Sequence, residues 1–204
     1  MAKHEKRGAA LGVEARAETD KRTLVGYAAV FGSVADIGGY FNEVIERGAF
    51  SKSIASGDVR ALIDHDTGRV IGRTKAGTLR LAEDDRGLKV EIDVPDTTDG
   101  RDLWTLVERG DISGMSFRFT VMKQTWDDTV DPPLRTIHEL EFDEVSAVAF
   151  PAYEDTEIGV RSLNEHRAAR EADRGDDTPA MNHAPVIGAK LRMRHALRER
   201  TLAR

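Results

Sequence analysis

Apolar and polar residues alternate in short runs along the chain as far as about residue 150, the pattern of half-buried strands. The plainest run is RVIGRTKAGTLRLAEDDRGLKVEIDVP (69–95), where Leu79 and Leu81, then Leu88, Val90, Ile92 and Val94, alternate with polar residues. EDDRG (83–87) reads as the hairpin turn between two strands, and Pro95 ends the run. TLVGYAAVFGSV (23–34) predicts a strand interrupted by a bend or bulge, and VRALIDHD (59–66) a strand that ends in polar residues. FNEVIERGAFSKSIAS (41–56) starts extended and turns helical over Ala49–Ala55, where Phe50 and Ile54 lie one turn apart. The period changes in TTDGRDLWTLVERGDI (97–112). Leu103, Leu106 and Val107 form one helical face, Thr or Asp caps the start near 97–99, and Gly110 stops the end. ISGMSFRFTVMKQTW (112–126) and LRTIHELEFDEVSAVAFPAY (134–153) return to extended structure. The first half of DISGMSFRF (111–119) is the turn out of the helix, with Gly114 letting the backbone bend.

Many non-local strands with few helices predict a mainly β (α+β) fold, a closed or partly closed β-barrel flanked by helices. Residues 1–10 are polar and read as loose, which gives a flexible N-terminal segment over 1–15 and a folded domain over 16–160. Residues 161–204 form a tail. EHRAAREADRGDDTPAMNHAP (165–185) is a charged linker or frayed helix, and AKLRMRHALRERTLAR (189–204) is a basic amphipathic end, with Leu191, Arg194, Leu197 and Leu202 at roughly helical spacing.

Composition narrows the chemistry. The 204 residues carry a formal net charge of -6, which argues against a specific nucleic-acid partner, and no apolar run is long enough to span a membrane. MAKHEKRGAA lacks the apolar core of a signal peptide, so cytoplasmic synthesis is the simplest reading. With no cysteine, disulfides, thiolate catalysis and Cys-based zinc sites are excluded, and a nucleophile must be Ser, Thr, Lys or a carboxylate. Of six histidines, only His65 and His138 fall in the folded region, and neither has a metal-ligand spacing such as H-E-x-x-H. No cofactor or metal is expected.

His65 stands where an apolar strand opens into a turn, flanked by Asp64 and Asp66. Ser116 starts the SFRF strand, with Ser113 just before it. A serine hydroxyl needs a base to take its proton, and SGMS is not the nucleophile elbow G-x-S-x-G. Glu144 shares a strand face with Phe142, Ser146 and Val148, so it is partly buried and needs a partner, which an imidazole can supply. Taken singly, each of these residues also has an ordinary structural reading.

Their order is more specific. GYAAVFG, ERGAFSKSI, the His65 strand, GDISGMSFRF, LEFDEVSAVAF and FPAY follow one another over roughly residues 20–155. This series resembles the prohead (capsid maturation) serine proteases of tailed bacteriophages, which in turn resemble herpesvirus assemblin. The resemblance implies a serine endopeptidase with His65 as base and Ser116 as nucleophile, Ser113 being the fallback. For the third member it favours Glu144 over His138, with a modest share of the rate. It also implies partners: the major capsid protein with its scaffold or delta region, and the protease itself through autocleavage. The place of action would be inside the immature prohead in the host cytoplasm. One departure stands out: Arg118 occupies a position where the family pattern has glycine. The alternative is a non-enzymatic capsid assembly or scaffolding protein on the same barrel.

Overall fold

Strands alternate because one face of each must leave water, and β9 (Gly87–Asp93) is the plainest instance, with Leu88, Val90 and Ile92 fully buried. The computed structural model describes residues 4–9, 13–18, 21–150 and 156–173. Before β9 come β1 (Glu5–Ala9), β2 (Glu14–Glu18), β3 (Lys21–Val30), β4 (Ala35–Ile37), β5 (Phe41–Ile45), α1 (Ser51–Ser56), β6 (Arg60–Ile63), β7 (Asp66–Arg73) and β8 (Leu79–Glu83). After it come α2 (Thr98–Arg109), β10 (Gly114–Asp127), β11 (Leu134–Val148) and α3 (Thr156–Asp173).

The strands form two sheets. One is antiparallel, in the order β2-β3-β9-β8. The other has seven strands along the path β1-β10-β11-β5-β4, with β6 on β11 and β7 on β6. The long strand β11 takes two parallel partners, β5 beside Leu134–Ile137 and β6 beside Glu144–Ala147. Both sheets send side chains into one apolar cluster: Leu24, Leu88 and Val90 from the first, Phe117, Phe119 and Val145 from the second. Phe50, at the start of α1, packs edge-on against Phe117 and Phe142. Among the described residues the sheets stay separate and no closed barrel forms. The fold is mainly β with a few helices, as expected, but of the closed or partly closed barrel expected, the closed form is not found: two sheets lie over a shared core. Alternation identifies strands, whereas closure depends on which edges pair, and among the described residues β1 and β4 end the main path of the larger sheet.

The helix read at 97–112 has the expected ends. Thr97 Oγ1 accepts the Gly100 N–H at 3.2 Å, and Gly110 takes φ 81°, the left-handed conformation of a C-terminal cap. The bend expected in TLVGYAAVFGSV is a register shift between Tyr27 and Ala29. Three expectations meet a different structure. Within the segment expected to be flexible, Glu5–Ala9 is a strand antiparallel to β10. α3 runs across the expected domain end at 160, and Leu163 packs with Ile37 and Phe41. Gly114 lies not in a turn but in β10, opposite Val148. The chain divides into a unit from Met1 to Arg167 and a second from Ala168 to Arg204. Of the second unit only the end of α3 is described, and the basic segment 189–204 lies outside the described residues. Among the described residues no helix is long and apolar enough to cross a membrane.

Candidate active site

β6 and β7 are joined by a two-residue turn, Asp64-His65, closed by the pair Ile63 and Asp66. Both turn residues take positive φ, 51° and 59°, as a type I′ hairpin turn requires. Asp and His enter this region more readily than most non-glycine residues, yet the conformation is a strained one that neighbours must hold. β11 does so: the Asp64 N–H donates to the Ala147 carbonyl at 3.0 Å, and the His65 N–H donates to Ser146 Oγ at 3.2 Å. The imidazole is thereby set over β10 and β11.

There it meets the other candidates. His65 Nδ1 lies 2.6 Å from Glu144 Oε1, and His65 Nε2 lies 2.9 Å from Ser116 Oγ. Three elements therefore deliver one line of hydrogen bonds, acid to base to hydroxyl. Glu144 and Ser116 are 1% and 2% exposed, and the His65 side chain 16%. Burial pushes the Glu144 carboxyl up, but hydrogen bonds from His65 and Ser146, with the charges of His65 and Arg118, outweigh it and hold the group below the ordinary range. Glu144 is thus a carboxylate at neutral pH. Accepting the Nδ1 proton fixes the tautomer that leaves Nε2 free to accept from Ser116.

The serine proton has a second acceptor, the Arg7 carbonyl of β1, 2.8 Å from Ser116 Oγ. One proton cannot serve both. A neutral imidazole takes it at Nε2; a doubly protonated imidazole donates at Nε2 and leaves the hydroxyl to Arg7.

A bulge between β10 and β11 shapes the far side. Arg118 pairs with Glu144 and Phe119 with Phe142, so Asp143 is the extra residue. Ser116 and Arg118 precede this shift and keep the same face. Arg118 is bound by Asp143 through Nε (3.1 Å) and Nη2 (2.7 Å), and its Nε lies 3.7 Å from Glu144 Oε2. Its charge is directed at the carboxylates rather than held open beside Ser116. The remaining candidates lie apart: His138 bonds Glu46 (2.6 Å) and Thr125 (2.8 Å), and Ser113 is exposed with its carbonyl accepting from Val13. Two contributors carried no weight in the sequence. Ser146 was visible only as a neighbour of Glu144 on one strand face, and the Arg7 carbonyl gave no signal in its side chain. Among the described residues no cluster of His, Asp and Glu could hold a metal ion.

Comparison with known proteins gives the arrangement a context. Among solved structures, the capsid assembly protease of bacteriophage T4 is similar with a TM-score of 0.47 and 12% identity, over 74% of this chain and 98% of that one. No curated protein matches the chain. The family model of the caudovirus prohead serine proteases matches residues 10–170, most of the sequence, and the chain belongs to that family.

Proposed function

We propose that this serine protease is a capsid maturation endopeptidase whose nucleophile is Ser116, with His65 as general base and Glu144 as the carboxylate that orients and balances it. The observation that carries the assignment is the unbroken line from Glu144 Oε1 through both ring nitrogens of His65 to Ser116 Oγ, at 2.6 and 2.9 Å. In the first half-reaction Ser116 Oγ attacks the scissile carbonyl carbon while His65 Nε2 takes its proton. Glu144 stabilises the imidazolium that results. The tetrahedral intermediate collapses, the C–N bond breaks, and the leaving amine takes the proton from His65. Water, deprotonated by His65, then attacks the acyl ester and releases Ser116.

The substrates are the scaffold or delta region of the major capsid protein and the protease's own chain, cut inside the immature prohead. Membership of the caudovirus prohead serine proteases supports this reading. The test is co-expression with the capsid protein. Wild type trims the capsid protein and shortens itself, and Ser116→Ala does neither while capsids still assemble. Trimming by Ser116→Ala rejects Ser116. Absence of trimming by wild type, with assembly intact, favours a scaffolding role instead.

A further inference from the structure

We propose that Ser146 is a positioning residue of this site, a single hydroxyl that locks both the acid and the histidine turn in place. The proposal rests on the assignment of Ser116, His65 and Glu144 above. Ser146 is fully buried at 0% exposure and lies directly opposite Ser116 in the β10–β11 register. Its Oγ donates to Glu144 Oε1 at 2.6 Å and accepts the His65 backbone N–H at 3.2 Å. The hydroxyl has one proton to give, and that proton goes to the same carboxylate oxygen that receives His65 Nδ1.

This arrangement solves two problems at once. A glutamate side chain has several rotatable bonds, so burial alone does not aim it. With two donors converging on Oε1 and no hydrogen-bond partner on Oε2 among the described residues, the oxygen that faces the imidazole is specified. The second problem is the left-handed turn. The His65 N–H has no ladder partner there and would be left unsatisfied, and Ser146 accepts it. The donor is neutral, so it orients the carboxylate without cancelling the charge that the imidazolium needs. Ser146 touches no reacting atom, and its effect reaches Ser116 only through the other two residues.

The test uses the purified full chain and a fluorophosphonate probe, on which Ser116 Oγ displaces fluoride from phosphorus as His65 takes the proton. Wild type is labelled at Ser116 by peptide mapping, and Ser116→Ala is not. Ser146→Ala is labelled on the order of 10²-fold more slowly, with the loss in the maximal rate and not in probe affinity, as expected when reacting groups are misplaced. Ser146→Thr, which restores the hydroxyl, recovers most of that rate. The proton NMR resonance of His65 Nδ1–H in its bond to Glu144 supplies a readout independent of labelling. It is present at low field in wild type and Ser116→Ala, and is shifted or broadened away in Ser146→Ala whose circular dichroism remains native. Labelling of Ser146→Ala within twofold of wild type, or an unchanged Nδ1 proton, overturns the positioning role. Labelling elsewhere than Ser116 overturns the triad assignment instead.

Discussion

At the scale of single residues, the most demanding position is Glu144. Its side chain is 1% exposed and one oxygen is held by both His65 and Ser146. Glu144→Gln keeps the shape but can present an N–H to His65 Nδ1. That forces the ring proton onto Nε2, where it can no longer accept from Ser116. We expect kcat on capsid protein to fall roughly 10³–10⁴-fold with KM little changed, measured by single-turnover cleavage. This is more than the modest share that the sequence resemblance implies, and burial is the reason: no water can take over the orienting role. The individual residues were legible as candidates because few histidines lie outside the polar ends of the chain. Their meeting was not, since it depends on two consecutive left-handed residues, Asp64 and His65, which no glycine advertises. Arg118, the departure from the family pattern, also resolves at this scale. The bulge at Asp143 supplies it with a carboxylate partner beside the site.

At the scale of elements, β1 is the strand that hydrophobic patterning could not find. EKRGA contains no large apolar residue, and two of its buried residues are charged, Glu5 and Arg7. They are buried because they are paired. Arg7 bonds Glu43 of β5 at 2.6 Å and Glu5 at 2.8 Å, and Arg135 of β11 bonds Glu5 and Glu43 at 2.9 Å each. Two cations and two anions thus balance with almost no contact with water, tying β1 to two other strands and holding the Arg7 carbonyl against Ser116. Such a cluster contributes little net stability compared with apolar packing, but losing one member leaves an uncompensated buried charge. Arg135→Ala strands two carboxylates with one guanidinium. It should lower the unfolding free energy by about 3–5 kcal/mol, read from urea denaturation at pH 7. The strand pattern elsewhere was legible for the opposite reason: β9 buries only apolar side chains at alternate positions, so period and chemistry agree.

At the scale of the whole molecule, the two sheets share one apolar core, and the ion cluster and candidate site are set around strands of the larger sheet. The two-sheet architecture was not legible because pairing of distant edges leaves no local trace, while the strands themselves do. This arrangement places two depressed carboxyls in one cooperative unit. Burial pushes Glu5 up, but the Arg135 and Arg7 guanidinium groups outweigh it; Glu144 is held down by His65 and Ser146 against the same opposing burial. In the unfolded chain both return to the ordinary glutamate range near 4.5. Below that value the unfolded state binds protons that the folded state still excludes, so stability falls as the pH is lowered. The contribution is fully present above the unfolded value and is lost as pH drops through the lowered folded values. The melting temperature should therefore change little through these two groups from pH 8 to about 5 and decline steadily below about 4.5. Glu5→Gln separates the contributions: it is less stable than wild type at pH 7, but its melting temperature falls less steeply on acidification. A Glu5→Gln curve parallel to that of wild type below about pH 4.5 would remove Glu5 from the account of acid unfolding.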